Sequence, residues 1–128
     1  MVNNKQKKTK PTPILIYIVS TIKNTLVTMI DPQIPQMKPK VLLQTTSRGY
    51  PIKMKKKNNA YILQKISLQI IEQAKKIKNM QAYIILKGTG QGRYSLVKYL
   101  TKNLKIAAIY DKTPIPFNGC RPKKQKRR

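Results

Sequence analysis

The chain has 128 residues, with 28 Lys plus Arg against 3 Asp plus Glu and a formal net charge of +25 at pH 7, so surface ion pairs cannot neutralise it and its self-repulsion calls for a polyanionic partner. One Cys and no His leave no structural zinc site, no internal disulfide and no imidazole acid or base. With Asp31, Glu72 and Asp111 as the only carboxylates, a catalytic carboxylate pair or a carboxylate metal site would use nearly all of them, which speaks against an enzyme and against a bound metal or cofactor.

Residues 1–13 form a disordered basic arm in this reading, because Thr9-Lys10-Pro11-Thr12-Pro13 blocks helix and offers nothing to bury. The arm has neither the apolar core of a signal peptide nor the Arg-rich pattern of an import sequence. Residues 14–30 are rich in Ile, Val, Thr and Leu and are interrupted at Lys23-Asn24, which predicts two antiparallel strands joined by a tight turn. The longest apolar run, residues 14–19, is far short of the ~20 residues a spanning helix needs. Basic residues are also scattered through every segment, so the polyanion expected is nucleic acid and not a membrane surface.

Residues 41–46, after Pro39, predict a third strand. Residues 47–57 follow without apolar periodicity and carry Arg48, Lys53, Lys55, Lys56 and Lys57, as a basic loop exposed to the partner would. Asn58 or Asn59 can cap a helix to about Lys78, with Leu63, Ile66, Ile70, Ala74 and Ile77 along one face. Its opposite face shows Gln64, Lys65, Gln69, Gln73 and Lys76. Residues 83–86 and 106–110 are unbroken apolar runs of strand length, expected to be covered on both faces, and Leu96, Val97, Leu100 and Leu104 mark a helix between them. Strand, helix and strand of these lengths predict a right-handed parallel βαβ unit. The order is βββαβαβ, an α/β single domain over residues 14–111 with helices packed on a mixed sheet, followed by an extended basic tail over residues 112–128.

Two segments carry the candidate chemistry. Lys87-Gly88-Thr89-Gly90-Gln91-Gly92-Arg93 lies where strand passes into helix, where glycines let backbone amides approach a phosphate and the helix terminus adds partial positive charge. The spacing is not that of a dinucleotide fingerprint, and no Walker lysine pattern is present. RNA phosphate, a bland glycine turn and a nucleotide all stay open, in that order of weight. The second segment, residues 111–122, holds three prolines after Thr113 and then runs into Lys123-Lys124-Gln125-Lys126-Arg127-Arg128. The prolines impose an extended path that can thread between RNA helices.

The tail string Thr113-Pro114-Ile115-Pro116-Phe117-Asn118-Gly119-Cys120-Arg121-Pro122 resembles the carboxyl-terminal signature of bacterial-type small-subunit ribosomal protein eleven. Lys87-Gly88-x-Gly90-x-Gly92-Arg93 and Asn24-Thr25-x-Val27-Thr28-x-x-Asp31 resemble the same family's glycine loop and hairpin, so the similarity covers residue 14 to the end. Thr89 and Gln91 stand where the family usually has proline, Tyr94 where it has glutamate and Phe117 where it has histidine.

The resemblance implies a non-catalytic protein on the platform of the small subunit, bridging rRNA helices near the messenger exit path. It also implies neighbours in small-subunit proteins seven and eighteen and proximity to the site of initiation factor three. The other function considered is a free-standing RNA chaperone. Arg48, Lys53, Lys55, Lys56, Lys57, Lys87, Arg93, Arg121, Lys123, Lys124, Arg127 and Arg128 are the expected phosphate contacts. Gly88, Gly90, Gly92, Asn118 and Gly119 are expected to supply backbone shape and amide donors. Tyr50, Tyr94 and Phe117 are divided between base stacking and packing, and Cys120 is expected to be a small buried group. The Lys, Ile, Asn and Tyr bias of an A/T-rich gene, with the altered glycine loop, predicts an organelle-encoded protein of the mitochondrion rather than the plastid.

Overall fold

Alternation decides the first two strands. In the computed structural model, which describes residues 12–32, 39–51 and 59–127, β1 (Ile14–Ser20) buries Ile14, Ile16, Ile18 and Ser20 and leaves Leu15, Tyr17 and Val19 half-buried on the other face. β2 (Thr25–Asp31) repeats the pattern with Thr25, Val27 and Met29 inside. The two pair antiparallel as the predicted hairpin, with Ile16 opposite Met29 and Ser20 opposite Thr25. The period of two sends every second side chain to the same face, so register and burial agree.

β3 (Lys40–Thr46) pairs antiparallel with β2 and is followed by a single 3-10 turn, Ser47–Gly49. α1 (Ala60–Ile77) begins at Asn59, whose side-chain oxygen accepts from the Tyr61 amide, and ends at Lys78 in the left-handed region. Lys75 and Lys76 lie in its last turn, where the helix dipole favours positive charge. β4 (Gln81–Lys87), α2 (Gly92–Asn103) and β5 (Lys105–Asp111) complete the chain. β4 pairs parallel with both β1 and β5, giving a five-stranded mixed sheet in the order β3-β2-β1-β4-β5. The predicted βββαβαβ order and parallel βαβ unit are thus the observed ones.

The two helices pack against each other, and both contribute to one core. Ile62, Leu63, Ile66, Ile70 and Ala74 of α1, and Leu96 and Leu100 of α2, meet Ile14, Ile16, Ile18, Met29 and Ile84 of the sheet. Each of these Ile, Leu and Met side chains contributes about 1.5–3 kcal/mol by leaving water. The expectation of cover on both faces holds for β4, where Ile84, Ile85 and Leu86 are buried in succession, and is corrected for β5. Among the described residues the opposite face of the sheet carries no layer, and β5 is an edge strand in which Ile109 and Tyr110 are 48% and 49% exposed. β5 pairs with β4 through a register shift between Ala82 and Tyr83, and its apolar run makes lateral contact with β4, the Tyr110 ring sitting 6.1 Å from that of Tyr83. A continuous apolar run therefore arises without a second helical layer.

Candidate nucleic-acid interface

Strand direction gathers the candidate segments at one edge. β1, β4 and β5 run parallel, so their carboxyl ends, Ser20, Lys87 and Asp111, lie at the same rim. In open α/β sheets this rim is where ligands are received. The turn between β1 and β2, the glycine loop after β4 and the root of the tail after β5 all start there. The 3-10 turn after β3 joins them, because Asn24 Oδ1 accepts from the Thr25 amide at 2.9 Å, the Ser47 hydroxyl at 2.8 Å and the Arg48 amide at 3.3 Å. Ser47 Oγ accepts in turn from the Thr25 amide at 3.0 Å.

The glycines are packed against this hairpin end. Gly88 has φ +91, and a Cβ there would overlap the carbonyl oxygen of Ser20. A Cβ on Gly90 would overlap Ser20 Oγ and the Thr21 carbonyl, and one on Gly92 would press on Thr25 Oγ1. The Gly90 amide donates to the Ser20 carbonyl at 3.1 Å, so within the fold that donor is already engaged. Close approach of loop to hairpin accounts for the glycine spacing, and it leaves the loop surface, with exposed Lys87 and Thr89, facing outward.

Arg93, expected as a phosphate contact, is tied into the protein. Its Nη1 donates to the Gly88 carbonyl at 2.9 Å and to Asp111 Oδ2 at 3.2 Å, and its Nη2 donates to the Tyr94 hydroxyl at 2.9 Å. The guanidinium carbon lies 4.8 Å from the centre of the Tyr94 ring, and the side chain is only 15% exposed. The Tyr94 hydrogen bond, with the Asp111 charge, raises the Arg93 pKa. The Thr113 hydroxyl and amide donate to Asp111 Oδ1 at 2.6 and 3.1 Å. Those two bonds first, and Arg93 second, hold the Asp111 carboxyl below the usual carboxylate range. The Lys112 amide donates to the Leu86 carbonyl at 2.8 Å. The start of the tail is therefore fastened to β4, α2 and the glycine loop together.

Beyond this anchor the chain runs exposed and without helix or strand from Pro114 to Arg127. Asn118 adopts φ 50, the left-handed conformation that Asn tolerates, in the Asn118-Gly119 turn. Arg121, Lys123, Lys124 and Arg127 are exposed, as is Arg48 at the rim. Lys53, Lys55, Lys56, Lys57 and Arg128 lie outside the described residues, as does most of the amino-terminal arm. Phe117 is fully exposed and packs on nothing among the described residues. Cys120 is also exposed, which corrects the expectation of a buried thiol: the prolines carry it away from the core. Tyr50 packs against the core and Tyr94 lies under Arg93.

Sequence reasoning missed Ser20, Thr21 and Ser47 as parts of this rim, and it held Asn24 and Thr113 only as members of the hairpin and tail motifs. Their signal was available as small polar residues placed at strand ends, where apolar burial gives them no use. Among the described residues no group of acidic, His or Cys side chains could hold a metal ion, and no helix is long and apolar enough to cross a membrane.

The profile of the family described as ribosomal protein S11 matches residues 15–127. The small ribosomal subunit protein uS11 of Thermosipho africanus is 34% identical over 113 residues, covering 88% of this chain and 84% of that protein. The uS11 protein of Francisella tularensis subsp. novicida is 34% identical over 129 residues, covering 98% and 96%. That of Treponema pallidum strain Nichols is 32% identical over 113 residues, covering 88% and 86%. These relatives are bacterial, which overturns the mitochondrial assignment. A/T-driven residue bias acts on any A/T-rich gene, and the loop tolerates Thr89 and Gln91 because its shape rests on the glycine contacts with the hairpin. Glycine loop, hairpin and tail signature thus stand together on a fold matched across nearly its whole length, and the chain belongs to the ribosomal protein S11 family, a family of structural, non-enzymatic components of the ribosome.

Proposed function

We propose that the protein is a structural constituent of the small ribosomal subunit, on its platform near the messenger exit path. There it bridges rRNA helices beside small-subunit proteins seven and eighteen. The observation that carries this reading is the convergence of hairpin turn, glycine loop and anchored tail on one rim of the sheet, with Lys23, Arg48, Lys87 and Lys112 exposed around it. The α/β body holds these segments in register, and the tail extends the same basic surface outward. Arg121, Lys123, Lys124 and Arg127 bind phosphate, Gly88, Gly119 and Asn118 shape the backbone that meets RNA, and Arg93 acts through the anchor.

The test is a truncation after Pro114, which keeps the Arg93, Asp111 and Thr113 contacts and removes only exposed chain. The shortened protein folds with the same melting temperature and fails to enter small subunits in gradient sedimentation. Normal incorporation would refute the reading, and a full-length chain that binds RNA but sediments away from ribosomes would favour a free-standing chaperone.

A further inference from the structure

The three segments at the rim leave a cleft of about 540 Å³ between them, lined by Ser20, Thr21, Ile22, Lys23, Gly88, Thr89, Thr113 and Pro114. That volume falls in the range, about 300–1,000 Å³, of clefts that take small organic groups. We propose that this cleft receives a single unpaired base of the rRNA, a reading that rests on the ribosomal function given above.

Three features point to a base. The first is the lining. Ile22, 85% exposed at the lip, the Pro114 ring and the methyl groups of Thr21 and Thr89 offer apolar surface against which an unpaired base can lie. The Thr89 hydroxyl makes no hydrogen bond within the described residues and is free to meet a base edge.

The second is charge. Lys23 lines the cleft, and Lys87 and Lys112 flank it in the chain as the exposed residues next to Gly88 and Thr113. Asp111, the carboxylate near these segments, is engaged by Arg93 and Thr113. An apolar cleft bordered by cations, with its neighbouring anion neutralised, suits a nucleotide whose base enters while its phosphates stay at the rim.

The third is rigidity. The Thr21 amide and hydroxyl both donate to the Asn24 carbonyl, at 2.8 and 3.0 Å. The Gly90 amide holds the glycine loop to Ser20, and Arg93 holds Gly88 to the root of the tail. Each wall is thus fastened to another, so the opening exists before RNA arrives and little ordering is lost on binding.

The experiment uses the full-length chain with its small-subunit rRNA, probed by base-edge modification and by hydroxyl-radical cleavage of the backbone. The wild type protects the base edge of an unpaired nucleotide. Thr89→Trp, which fills the cleft, restores modification of that base by about 5-fold or more while the backbone footprint is kept. Ile22→Ala, at a lip position too exposed to affect folding, weakens the same protection about 3- to 10-fold. Protection unchanged in both variants would overturn the base cleft. So would a backbone footprint with no protected unpaired base, and that result would leave the ribosomal reading standing. Absence of any backbone footprint with the wild type would overturn both.

Discussion

Gly88 and Gly119 show how differently two glycines of neighbouring motifs are constrained. Gly88 combines φ +91 with a Cβ position on the Ser20 carbonyl, so Gly88→Ala meets strain and overlap at once and costs about 3 kcal/mol or more. A Cβ on Gly119 would meet only Pro116 Cβ, at 3.4 Å, an ordinary contact, so Gly119→Ala leaves stability nearly unchanged. Chemical denaturation of the two variants compares them directly, and equal midpoints would refute the packing account of the loop. Gly90→Val belongs with Gly88→Ala: any loss of RNA binding in it has to be separated from loss of fold.

Asp111 makes a pH-dependent contribution whose sign follows from its lowered pKa. A carboxylate with a depressed folded pKa stabilises the fold fully above its unfolded value of about 4, and that stabilisation disappears as pH falls through the folded value. The Thr113 amide, which donates to Asp111 Oδ1, reports the loss as a nuclear magnetic resonance shift that titrates below pH 4 and is absent in Asp111→Asn. Because Asp111 is 54% exposed, the substitution moves the melting temperature by less than about 5 °C. Its effect is on where the tail starts.

At the scale of elements, the hairpin turn and the 3-10 turn act as one piece through Asn24. Asn24→Ala removes the acceptor for the Thr25 and Arg48 amides and the Ser47 hydroxyl, at a cost of about 1–3 kcal/mol. Asn24→Asp keeps the acceptor and retains most of that stability, and thermal melts of the pair check this.

The elements themselves were legible because their periods are clean. The alternation in β1 and β2 and the spacing of Leu63, Ile66, Ile70 and Ala74 in α1 each have a single packing solution. The tail signature was legible from its prolines, and its exposed course agrees. What stayed hidden depended on long-range placement. No local pattern says that Arg93 will pair with Asp111, 18 residues away, or that Gly90 will donate its amide to Ser20 across the sheet. The open second face was hidden for a similar reason, since an edge strand after a register shift carries the same apolar run as a central one.

For the whole molecule, the distribution of charge decides how binding responds to salt. The body concentrates its rim cations on a surface set by strand direction, whereas residues 115–128 add Arg121, Lys123, Lys124, Lys126, Arg127 and Arg128, six cations in 14 residues with no carboxylate. Each phosphate neutralised lowers the slope of log K against log salt by about 0.7–0.9. Truncation after Pro114 therefore makes the slope shallower by up to about 4–5, while the variants that alter the cleft, Ile22→Ala and Thr89→Trp, change affinity at a fixed salt and leave the slope alone. A salt titration of rRNA binding by full-length, truncated and cleft variants separates the two contributions. A truncated chain with an unchanged slope would mean that the tail touches rRNA without neutralising it, and the anchor formed by Arg93, Asp111 and Thr113 would then serve shape alone.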